Sequence, residues 1–201
     1  MNDIRIWGAL LVAVSVILIC GSLLRKNESY FNLRSVIRRH FGLFKNCKSQ
    51  YFVFYGFPLL LSVGLAILYE TNDAFFSELN VILSILVSIL FAILSILCGY
   101  DYSSVADERQ KKNAKAVLRD TVNAIVFTAA LSVFLLLYDL VFSVVSADSF
   151  NQWIVDVTMI KRIVSGMAYY IFTVILLNLL LIIKHMSKLI EFNLYAPKKE
   201  K

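Results

Sequence analysis

The 201 residues are 59% hydrophobic and 17% charged, against roughly 45 to 50% apolar and about 25% charged in an ordinary soluble domain. A soluble chain of this length scatters its charges along amphipathic elements around one core. Here the charges sit in blocks between long uncharged runs, which excludes that class. The net charge of +6 does not make a case for direct nucleic acid binding, because the basic residues flank apolar runs, where membrane topology accounts for them.

In chain order, the first apolar run is Ile6 to Leu24. It ends in Leu18-Ile19-Cys20, but Arg25 and Lys26 follow the run and Ile19 precedes Cys20. A signal peptide has its positive charge before the apolar stretch and a small residue before the cleavage point, so the run reads as a retained first helix. The next runs are Tyr51 to Tyr69, Val81 to Tyr100, Thr121 to Val145 and Ile163 to Ile183, each near the ~20 residues that cross a hydrocarbon core. The expected fold is an all-α polytopic transmembrane bundle of five spans forming one domain.

The segments between the runs alternate. Residues 25–50 hold seven Lys and Arg, residues 101–120 hold five and the tail from Lys184 holds five, leaving Arg5, Lys161 and Arg162 for the other side. Lys and Arg are retained in the cytoplasm. The expected orientation is therefore N-terminus outside and C-terminus inside, with three basic cytoplasmic segments facing the aqueous phase.

The first of these, Asn32 to Lys48, is amphipathic at 100° per residue. Leu33, Val36, Ile37, His40, Leu43 and Phe44 fall on one side, while Arg34, Arg38 and Lys45 fall on the other, with Arg39 adding to the basic surface. This is the pattern of a helix lying in the membrane interface with its cations near anionic headgroups. The same arginines would also dock an acidic cytoplasmic partner. The second segment places Asp107 and Glu108 four residues before Lys111 and Lys112, the favourable order for helical ion pairs, and predicts a solvated extension of the third or fourth helix.

Within the spans, three features stand out. Pro58, just after Gly56, predicts a kink in the second span. In the third, Ser84, Ser88, Ala92, Ser95 and Gly99 share a face, as a packing seam within the chain or between two copies would require; a pore lining is the other use of a serine stripe. Asp139 is a carboxylate well inside the fourth span. A charge there is costly, and its ways out are protonation, a bound proton or cation, or an ion pair with Lys161 or Arg162 reaching in from the outer end, of which the Asp139–Arg162 pair is the candidate.

Chemistry is otherwise sparse. His40 and His185 are lone histidines read as interfacial residues, and the three cysteines form no CxxC or Cys/His cluster, so neither a metal site nor a disulfide framework is expected. No GxSxG, HExxH or GxxxxGK[ST] motif occurs. Neither an enzyme nor a cofactor is expected.

A short first span, the basic segment Leu33-Arg34-Ser35-Val36-Ile37-Arg38-Arg39-His40-Phe41, then Phe57-Pro58-Leu59-Leu60-Leu61, and Tyr100-Asp101-Tyr102 closing the third span make up a layout. It resembles that of small membrane proteins of bacterial anti-phage operons, in particular the membrane subunit of the Kiwa defence system. The resemblance covers most of the chain as a layout and maps no functional residue. It implies a homo-oligomer of the bacterial inner membrane that senses infection and works with a cytoplasmic partner subunit. A pore-forming effector or ion channel is the alternative function.

Overall fold

The computed structural model describes residues 14–15, 21, 33–43, 48–69, 73–99, 108–146 and 157–194. Every regular element among them is helical: α1 (Leu33–Leu43), α2 (Lys48–Tyr51), a π-helical turn (Phe52–Gly56), α3 (Phe57–Leu68), α4 (Asp73–Cys98), α5 (Glu108–Ser146) and α6 (Val157–Leu194). The predicted first span falls almost entirely outside the described residues.

Helices α4, α5 and α6 are long and apolar enough to cross a membrane. At 1.5 Å per residue, the 39 residues of α5 and 38 of α6 run to about 58 and 57 Å, well beyond the ~30 Å of a hydrocarbon core. The surplus of α5 is the charged stretch beginning at Glu108, so the predicted solvated extension belongs to the fourth apolar run. Its ion pair joins Lys111 to Glu108 at 3.5 Å, one residue closer in sequence than the expected spacing.

The second apolar run is a shorter helix, Phe52–Leu68. In place of a plain kink, its backbone widens into the π turn just ahead of Pro58. Proline has no N–H with which to continue an i to i−4 ladder, and the Phe57 N–H instead donates to the carbonyl of Phe52, five residues back. Gly56 permits the turn, since a Cβ there would lie 2.9 Å from two ring carbons of Phe52.

Helices α5 and α6 pack along each other, α4 lies against α5, α3 lies against α6, and α1 lies against α5. The core has two storeys. One holds Phe76, Leu79 and Leu83 of α4 with Leu135 of α5 and Ala168 and Ile175 of α6. The other, toward the start of α5, holds Leu90 and Leu97 with Ala124, Ile125, Ile182 and Leu189.

Outside this core the surface is apolar as well: Leu60, Ile67, Ile82, Ile85, Phe91 and Ile183 are all exposed. An apolar exterior of this extent is a lipid-facing surface, because in water it would drive aggregation. Hydrophobicity therefore cannot hold these helices together, and close packing of small and hydroxyl side chains takes over. The inward face of α5 shows this, running Ala114, Thr121, Ala124, Thr128, Ser132, Leu135 and Asp139, all buried. The Thr121, Thr128 and Ser132 hydroxyls each donate to the carbonyl four residues back, so their burial leaves no O–H unbonded.

Candidate functional site

The basic α1 is mounted on the bundle by aromatic contacts. His40 is fully buried, its ring stacked on Phe127 of α5 with centroids 3.9 Å apart and planes within 10°. Next to it Phe41 stacks on Tyr55 of the π turn, with centroids 5.1 Å apart. His40 was expected at the membrane interface; instead the flat face of Phe127 gives it a seat inside the helix packing. Burial pushes its imidazole down from the ordinary 6.5 to about 4, because a charged ring there would lose its hydration.

Of the four candidate basic contacts, Arg38 and Arg39 are exposed on α1. Arg34 lies in the same helix, and Lys45 lies outside the described residues. The seat at His40 thus presents two adjacent guanidiniums on a helix whose other side is pinned to α5. Such an arrangement suits phosphate or carboxylate partners, which guanidinium recognises through paired N–H donors.

The small-residue stripe of α4 faces away from this packing. Ser84, Ser88, Ala92 and Ser95 are all exposed. The hydroxyls of Ser84, Ser88 and Ser95 donate to the carbonyls of Asn80, Ser84 and Phe91, each four residues back. Within the described bundle it is the Leu83, Leu90 and Leu97 face of α4 that meets α5. The small-residue packing of the core runs along α5 instead, through Ala114, Thr121, Ala124, Thr128 and Ser132.

Asp139 is 2% exposed. Its Oδ2 accepts a hydrogen bond from Nδ2 of Asn80 on α4, so the partner given to this carboxyl is an amide. Arg162, the expected partner, sits elsewhere. It lines a groove of about 400 Å³ between α3 and α6 together with Leu59, Ser62, Ala66, Gly166 and Tyr170. In that contact a Cβ on Gly166 would lie 3.4 Å from Cβ of Ala66, so there is room for a methyl but for little more. Asn80 lies one residue before the third apolar run, which begins at Val81, whereas α4 starts at Asp73, so hydropathy leaves this amide outside the helix. Its signal in the sequence is its place three residues before Leu83, in register with the Leu83, Leu90 and Leu97 face that meets α5.

No family model, curated protein or solved structure matches the chain.

Proposed function

We propose that this protein is a non-catalytic, multi-pass subunit of a bacterial inner membrane defence complex, sensing phage infection and handing the signal to a cytoplasmic partner protein. The defence assignment rests on the resemblance in layout. The observation that carries the signalling role is the mounting of α1: Arg38 and Arg39 are exposed while their neighbour His40 is buried against Phe127. A basic surface fixed to a transmembrane bundle moves when the bundle moves, and a partner bound to it would read that movement.

In this reading the chain crosses the membrane five times, N-terminus out and C-terminus in, with the 17 to 3 division of its Lys and Arg setting the orientation. The α4 stripe of Ser84, Ser88, Ala92 and Ser95 joins copies of the chain, because an exposed line of small side chains allows helices from two molecules to approach closely. Affinity purification in mild detergent tests the proposal: a stoichiometric partner with more than one copy of this chain is expected, and a solitary monomer would overturn it. The exposed serines also suit the pore reading. That reading predicts depolarisation of cells expressing this chain alone, whereas the subunit reading predicts silence without the partner.

A further inference from the structure

Asp139 and Asn80 meet between two apolar layers. One helical turn toward one end, Phe76 of α4 packs on Phe142 of α5 with ring centroids 5.2 Å apart. One turn toward the other end, Leu83 and Leu135 are both fully buried in the same cluster. In this enclosure only one hydrogen bond joins the two side chains. The remaining oxygen of each, Asp139 Oδ1 and Asn80 Oδ1, is buried and finds no hydrogen-bond donor among the described residues.

Two orphaned acceptors in one buried site are expensive, the more so where one bears a charge. Among the described side chains of the packed helices, charged and titratable groups are placed elsewhere. Glu78 of α4 is exposed, Arg162 of α6 lines the groove with α3, and the Tyr138 hydroxyl of α5 donates to the carbonyl of Val164 at 3.1 Å.

We propose that Asp139 binds a proton and is held by Asn80 as a two-point acid–amide pair. A single proton taken from water turns Asp139 Oδ1 into an O–H donor to Asn80 Oδ1, while Asn80 Nδ2–H continues to donate to Asp139 Oδ2. Both flat groups are then satisfied on their facing edges and no net charge is left in the enclosure. No other species is consumed or released. The pair lies within the α4–α5 packing, so it is a proton-dependent tie between α5 and α4, the helix that carries the outward serine stripe.

Infrared difference spectroscopy on the full chain in lipid vesicles at pH 7.5 tests the assignment. A protonated-carboxyl C=O band is expected in the wild type, lost in Asp139→Asn. In Asn80→Leu it is shifted to higher frequency, because the carbonyl loses its amide donor. Labelling with carboxyl-¹³C aspartate assigns the same band without any substitution, so the test survives if a variant does not fold. A second arm compares thermal stability: Asp139→Asn keeps two N–H···O bonds as an amide–amide pair and is expected to hold near the wild type, whereas Asp139→Leu is not. Carboxylate stretching from this aspartate at pH 7.5, in the presence or absence of sodium, would overturn the proposal, as would an acid band indifferent to Asn80→Leu.

Discussion

Acidification should loosen α1 from the bundle, by an amount that follows from His40. In the docked helix its imidazole is held at about 4 against an ordinary 6.5; once α1 lifts from Phe127 the ring regains water and the ordinary value. Above pH ~6.5 the ring is neutral in both states and docking is unaffected. As the pH falls below that, the released helix takes up a proton that the docked helix refuses, so docking weakens until both states are protonated near pH 4. The full difference of about 2.5 pH units corresponds to about 3 kcal/mol, and between pH 7.5 and pH 5 the loss is about 2 kcal/mol, or ~30-fold in the opening equilibrium. Hydrogen exchange of the α1 amides, corrected for intrinsic rates, should therefore show ~30-fold lower protection at pH 5. His40→Phe keeps an apolar ring on Phe127 and removes the titration, so its protection should be flat over the same range. Unchanged wild-type protection, or an equal fall in His40→Phe, would show that the buried imidazole does not govern docking.

Other contacts make their own predictions. Gly166→Leu should force α3 from α6 and lower the thermal stability of the detergent-solubilised protein by about 1 to 3 kcal/mol, the usual cost of overpacking; pairing Gly166→Ala with Ala66→Gly should stay close to the wild type. Ser132→Leu on the inward face of α5 should be similarly damaging. Ser88→Leu on the exposed face of α4 should leave stability within about 0.5 kcal/mol yet abolish cross-linking between copies, and retained cross-linking would dismiss the stripe as a subunit contact. Reversing Arg38 and Arg39 to Glu should leave the thermal transition unmoved and prevent capture of the cytoplasmic partner. Cytoplasmic reporters fused after Lys45 and after Lys115 should both be active, and one inactive fusion breaks the five-span topology.

The helices were legible where local composition decides them. The apolar runs beginning at Val81, Thr121 and Ile163 appear as α4, α5 and α6, because a long apolar stretch satisfies its backbone only as a helix when lipid surrounds it. The amphipathic pattern around Arg38 likewise placed His40 on the apolar side of α1. Boundaries were less legible. Asp73 through Asn80 carry enough polar groups to resemble a loop, yet they form the first two turns of α4, and this hid Asn80 from view as a neighbour of Asp139.

Sequence alone determined that the chain is helical, apolar over spans long enough to cross a membrane, and basic in three blocks, since each of these is a property of residues adjacent in the chain. Tertiary structure decided which face of each helix turns inward. Asn80 and Asp139 are 59 residues apart, and whether they meet depends on how α4 and α5 are rotated about their axes. That rotation is set by the fit of Leu83, Leu90 and Leu97 against α5 and by the small side chains that let α5 and α6 close up. Where every face of a helix is apolar, hydropathy no longer distinguishes inside from outside, and only the packing of specific side chains does.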